Sequence, residues 1–155
     1  MPASMTQTQP HAAPMDGLAQ LRAMAEGHLP PAPVAATLGM RGFAVSETGR
    51  VTVELVPDPA RHDNPLGTVH GGVLSTLLDT VCGCAVHATL AAGETYTSLD
   101  LTVKFLRPAT VASGVLRAEG TVIQRGRRTA LAEGRLTDAA GRLVAYATSS
   151  CMIFA

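Results

Sequence analysis

Asn64-Pro-Leu-Gly67-Thr-Val-His70-Gly71-Gly72-Val-Leu-Ser-Thr-Leu-Leu-Asp79 changes character half-way along. Its first half is loop, and it delivers a carboxamide at Asn64 and an imidazole at His70 to a pair of glycines. From Gly71 the apolar positions Val73, Leu74, Leu77, Leu78, Val81, Ala85 and Ala88 recur at helical spacing and form a broad stripe. This predicts one long, mostly buried helix with a carboxylate, Asp79, two turns inside it. Such a helix has to be covered, and the flanking sequence says by what.

On the C-terminal side, Thr97 to Leu106 alternates strictly, with Leu99, Leu101, Val103 and Phe105 on one face and Ser98, Asp100, Thr102 and Lys104 on the other. One strand is expected there, stopped by Arg107-Pro108. Three more strands are expected near 112–124, 128–137 and 142–153, separated by Arg125-Gly-Arg127 and Asp138-Ala-Ala-Gly141. On the N-terminal side, Phe43 and Val45, the turn Glu47-Thr-Gly-Arg50, and Val51, Val53 and Leu55 read as a hairpin. Pro57 and Pro59 end it, and a loop of about a dozen residues runs on to Val69, long enough to suggest a functional role. Before the hairpin, Asp16 caps a short amphipathic helix through Leu18, Leu21, Met24 and Ala25, and His28-Leu-Pro-Pro-Ala-Pro33 is a connector. Residues 1–15 lack an apolar period and are expected to be a disordered tail, leaving 16–155 as one domain. The order α-β-β-α-β-β-β-β with short loops implies an α+β domain in which an antiparallel sheet wraps around one central helix.

Composition narrows the function. Hydrophobic residues make up 46% of the 155 but aromatics only 3%, with no tryptophan, so the core is built from Val, Leu and Ala. Twelve Lys and Arg balance twelve Asp and Glu, which gives no field for nucleic-acid binding. No apolar run reaches the length of a membrane span and no export signal is visible at the N-terminus, so no membrane partner is expected. Cys82, Cys84 and Cys151 are an odd number, and the first two stand about 200° apart around a helix. They read as reduced thiols of a cytoplasmic protein.

The first N–H groups of the helix at Gly71 lack intrahelical partners, and the two glycines leave a ligand free to approach them. That end can hold an oxyanion; the plainer alternative is that the glycines merely allow close packing. Asp79 shares its side of the helix with Gly72, Thr76 and Gly83, so there is room beside the carboxylate. A solvated aspartate is the plainer alternative, but few other polar residues interrupt this helix. Desolvation there would raise its basicity and suit it as a general base or a nucleophile. Eight residues of helix separate Gly71 from Asp79 by about 12 Å, whereas a reacting group must come within about 3 Å. If both serve one active site, the carboxylate comes from a second subunit, giving a two-fold dimer with two shared sites.

The run Asn64-Pro-x-Gly-x-x-His70-Gly71-Gly72 with Asp79, the Ser98-x-Asp100 strand, the Phe-Leu-Arg-Pro end and the Arg-Gly-Arg-Arg hairpin resemble the hotdog-fold acyl-CoA thioesterases of the phenylacetate-pathway (PaaI) type. The resemblance spans about residues 35–153. It implies a sheet wrapped around the helix, dimers pairing into homotetramers, and active sites shared across the dimer interface. By that resemblance the Gly71 N–H and the Asn64 amide would polarise the thioester carbonyl, and Asp79 of the neighbouring subunit would activate water or attack the carbonyl itself. Ser98, with Thr97 adjacent, would position the water, and Gly72 and Thr76 would line the substrate. His70 would sit near the sulfur, supporting the leaving group or the loop; a capping role at the helix start is equally open.

Coenzyme A enters as part of the substrate, so no separate cofactor is implied. Its phosphates would meet arginines, with Arg107, Arg125, Arg127 and Arg128 the candidates by position and a solvated hairpin tip the alternative for each. His62, Asp63 and His70 fit no metal-ligand spacing, so no metal is expected. The expected activity is hydrolysis of an acyl- or aryl-acyl-CoA. A non-catalytic acyl-CoA-binding hotdog module is the first rival, although binding alone needs no carboxylate at Asp79. A hotdog dehydratase or isomerase ranks below it, because no Asp-x-x-x-x-His pattern is present.

Overall fold

The computed structural model describes residues 13–155. The first twelve residues of the expected tail lie outside the described residues, and 13–15 form no regular structure. Four helices, α1 (Gly17–Ala25), α2 (Pro33–Leu38), α3 (Pro59–His62) and α4 (Gly71–His87), accompany seven strands. The strands are β1 (Arg41–Val45), β2 (Val51–Leu55), β3 (Thr95–Ser98), β4 (Thr102–Phe105), β5 (Leu116–Arg125), β6 (Thr129–Thr137) and β7 (Leu143–Phe154). All pair antiparallel in one sheet of order β1-β2-β5-β6-β7, with β3 and β4 end to end along the outer side of β7. The sheet curls around α4, whose Leu74, Leu77, Leu78, Val81, Cys82, Ala85 and Val86 are buried against it. This is the hotdog architecture, as the resemblance implied.

Glycine makes the close fit possible. Gly120 on β5 and Gly134 on β6 are register partners, directly beneath the helix. A Cβ on Gly120 would fall on the carbonyl of Val81, and one on Gly134 would lie 3.0 Å from Leu78 and 3.1 Å from the Cys82 sulfur. Ala147 of β7 continues the line beside Gly134. The helix thus lies in a trough of small residues, which is why a core almost free of aromatics still packs.

Three local expectations are corrected. A helix, α2, follows the connector: Pro33 opens it, where a missing N–H costs nothing, and Gly39 closes it in the left-handed conformation (φ 74°). The long loop before α4 contains the single turn α3, capped by the Asp58 side chain. The stretch from Thr97 to Leu106 is two strands rather than one.

Between β3 and β4, three residues, 99–101, face two on β7, 149 and 150. The Asp100 carboxylate accepts the Ser150 N–H at 2.8 Å, and the Ser149 hydroxyl donates to the Asp100 carbonyl at 2.9 Å. A side chain thus takes the place of a ladder carbonyl and holds a β-bulge. Because strand side chains alternate, the extra residue inverts the facing. Tyr96 and Ser98 therefore lie opposite the core residues Ile153 and Cys151, while Val103 and Phe105 lie opposite the core residues Ala147 and Ala145. Leu99, read on the same face as Val103, falls within the bulge and is 55% exposed.

Candidate active site

The loop into α4 is fastened before it reaches the helix. His62 is buried: its Nδ1 accepts the Asp58 N–H at 2.9 Å and its Nε2 lies 2.8 Å from the Leu38 carbonyl. Both ring nitrogens are occupied, so the residue is structural. The Asn64 Oδ1 accepts the N–H groups of Leu66 (2.9 Å) and Thr68 (3.3 Å), and its Nδ2 donates to the Thr68 hydroxyl at 2.8 Å. Its carboxamide shapes the turn and retains one free N–H. Val69 N–H to Ala109 carbonyl and His70 N–H to His62 carbonyl, each 2.8 Å, then lead the chain into the helix.

The two glycines divide their work. His70 is the N-cap, its Nδ1 accepting the Gly72 N–H at 2.8 Å, which leaves the ring proton on Nε2 and uses up one helix donor. Among the described residues the Gly71 N–H has no acceptor. Gly71 lies in an open cleft of about 380 Å³ with Leu74, Phe105, Pro108 and Arg107. A Cβ there would be 3.0 Å from the Phe105 ring, so glycine lets the aromatic ring close over the donor. Phe105, on the apolar face of the alternating stretch, is 56% exposed and forms a wall of this cleft. Its position just before Arg107-Pro108 was the available signal.

Two turns further on, α4 presents a polar stripe. Thr76 and Thr80 donate to the carbonyls of Gly72 and Thr76, both at 2.7 Å, so the Thr76 hydroxyl keeps acceptor capacity only. Asp79 is exposed, and the desolvation expected for its carboxylate is not supplied by its own chain. Its charge reaches the neighbouring thiols: burial first and Asp79 second push Cys82 up to about 12 and Cys84 up to about 11. These thiols stay protonated and are not nucleophiles. Burial raises Tyr96 as well, again with an Asp79 contribution, and its hydroxyl would lie 3.1 Å from a Cβ on Gly83. Ser98 stands on the same face of β3 as Tyr96, its Oγ 3.9 Å from the Cys151 sulfur, whereas Thr97 points the other way. Asp79, Ser98 and Tyr96 therefore belong to one neighbourhood, and Asn64, His70, Gly71 and Arg107 to another.

The remaining arginines divide. The Arg125 guanidinium is engaged by Glu94 at 2.8 Å, Thr89 at 3.0 Å and the Gly126 carbonyl, which ties the β5–β6 hairpin to the segment after α4. Arg127 and Arg128 are exposed at the hairpin tip. Among the described residues no cluster of three or more His, Cys, Asp or Glu is placed to hold a metal ion, and no helix is long and apolar enough to cross a membrane.

Known proteins share this fold. A solved structure of a phenylacetic acid degradation-related protein from Ralstonia eutropha is 39% identical, with TM-score 0.76 over 85% of this chain and 98% of that one. A Bacillus halodurans protein solved with CoA is 26% identical, with TM-score 0.73 over 90% and 89% of the two chains. Acyl-coenzyme A thioesterase 13 of Mus musculus is 30% identical over 86 residues; the match takes in 55% of this chain and 60% of the relative's length. The family model for the thioesterase superfamily matches residues 66–145, from the loop before α4 into β7. With more than half its length inside that match, the chain belongs to the thioesterase superfamily.

Proposed function

We propose that the protein hydrolyses acyl-CoA thioesters in a site shared by two copies of the chain. The observation that carries this reading is the separation on α4 of an unpaired donor, the Gly71 N–H, from an exposed carboxylate, Asp79, by about 12 Å of helix. Each copy offers half of what acyl transfer needs, and a two-fold axis would bring complementary halves together. The thioester carbonyl oxygen accepts the Gly71 N–H, with the spare Asn64 N–H beside it, and the helix dipole stabilises the charge that develops there. Asp79 of the partner subunit takes a proton from a water positioned by Ser98, and the hydroxide adds to the carbonyl carbon. Collapse of the intermediate breaks the C–S bond. The CoA sulfur leaves as thiolate and recovers the proton, and the free acid remains. His70, next to Gly71 in the chain and with its proton on Nε2, can donate toward the sulfur. Arg107 at the cleft rim is the arginine best placed for a CoA phosphate, since Arg125 is committed to Glu94.

The 26%-identical neighbour solved with CoA and the relative named acyl-coenzyme A thioesterase 13 support this substrate class. By the resemblance noted from sequence, two dimers pair into a tetramer, the reduced cysteines favour the cytoplasm, and coenzyme A enters as part of the substrate. Thiol release from a panel of acyl-CoAs tests the reading. Wild type should release CoA and Asp79→Asn should not; wild type that binds the thioesters yet releases nothing leaves a binding module instead. Mixing Asp79→Asn subunits with Gly71→Pro subunits should restore activity, because only a mixed pair holds one intact shared site.

A further inference from the structure

A second cavity, of about 640 Å³, lies on the other side of α4 from the Gly71 cleft, and the mechanism above does not use it. Leu21 and Met24 of α1, Ala35 of α2 and Phe43 of β1 wall it, and Thr80 and Cys84 of α4 form its inner side. Thr80 is the residue after Asp79, and Cys84 follows one turn later, about 7.5 Å along the axis from Asp79. The cavity thus meets α4 one residue past the carboxylate, at Thr80, and continues along the helix to Cys84 and His87. Its far wall is fixed: the Gly17 N–H donates to the Leu90 carbonyl at 2.9 Å, and Gln20 meets the His87 ring at 2.7 Å. Its roof is loose, since α2 buries none of its residues, and its ties run from its C-terminal end, through Arg61 and His62.

The lining carries almost no charge. Arg41 already faces Glu54 at 3.7 Å, burial lowers His87 and keeps it neutral, and Tyr96 stays protonated. The volume is roughly four times the cavity of about 150 Å³ that holds benzene. We infer that this chamber receives the acyl group of the thioester, and that its size and apolar lining select an uncharged medium-chain alkanoyl group, such as octanoyl or decanoyl, over acetyl or phenylacetyl. The inference rests on the thioesterase reading and adds to it the substrate class.

The test compares kcat/KM for acetyl-, phenylacetyl- and decanoyl-CoA in wild type, Ala35→Phe and Cys84→Phe, with the oligomeric mass followed alongside. Wild type should favour decanoyl over both others by at least about tenfold, and each variant should lower the decanoyl-to-acetyl ratio by about tenfold or more. Ala35→Phe adds its ring to a helix that buries nothing, so folding is not at stake there. A wild type indifferent to the acyl group, or filled variants with an unchanged ratio, overturns the inference while leaving hydrolysis standing. A change of mass without a change of ratio overturns it too, by making the chamber an interface between copies. No hydrolysis of any thioester would instead remove the reading beneath it.

Discussion

The first turn of α4 and its middle offer opposite chemistry by opposite means. At the first turn the functional group is backbone: a glycine N–H left over after a histidine has capped its neighbour, held under a phenylalanine ring. In the middle it is a side chain, and the backbone there is fully paired and pressed on the sheet. A backbone donor is fixed by whatever fixes the helix, so its position tolerates little change. A carboxylate on an exposed stripe takes its environment from whatever docks there. In the proposed shared site, one half is thus preorganised within the protomer and the other is finished by assembly.

Removing the carboxylate tests the middle. Asp79→Asn should lower kcat by about 10²- to 10⁴-fold with little change in melting temperature, the range expected for loss of a general base. Incorporation of ¹⁸O from labelled solvent into the Asp79 side chain during turnover would instead make it the nucleophile. Gly71→Pro tests the first turn, because it removes the N–H, and Gly71→Ala, which keeps the N–H while bringing the same Cβ against the Phe105 ring, is its control. Gly71→Pro should cost about 10²- to 10³-fold in kcat. A defect appearing in KM alone would break the contrast between a transition-state donor and a packing glycine.

His70→Ala separates the capping role from the leaving-group role. Losing the cap should lower stability by about 1 kcal/mol, a few degrees in melting temperature, with the Gly72 N–H left bare. An unchanged melting temperature with a large loss in kcat would shift His70 to catalysis. The smallest effect is at the far end of the helix. Burial lowers His87 below its usual value, so the unfolded chain takes up the proton first as pH falls. Its contribution is therefore intact above about pH 6.5 and lost as pH drops below that toward the folded value. The melting temperature should decline between pH 7 and pH 5, with a shallower slope in His87→Gln.

The central helix, the hairpin and the three C-terminal strands were legible because periodicity reports which side of an element is buried. The bulge at Asp100 was not, because strict alternation through 97–106 looks the same whether or not one residue is extruded. What decides it is a carboxylate standing in for a carbonyl, a tertiary contact with Ser150 that no local pattern encodes. Helix α2 was hidden for a related reason, its prolines marking a start rather than a break. In the site, the distance between Gly71 and Asp79 was readable from helix rise alone, whereas the commitment of Arg125 to Glu94 depended on a partner 31 residues away. The way His70 and Gly72 pair off, leaving Gly71 free, required coordinates.

The trough of Gly120 and Gly134 has an engineering consequence. With the Val81 carbonyl already against Gly120, and the Leu78 and Cys82 side chains against Gly134, the sheet side of α4 has little slack, and an alanine at position 120 would have to lift the helix. If the inferred chamber holds the acyl group, reshaping toward larger or smaller acyl groups is therefore to be sought on the opposite flank of α4, where α1, α2 and β1 meet Thr80 and Cys84.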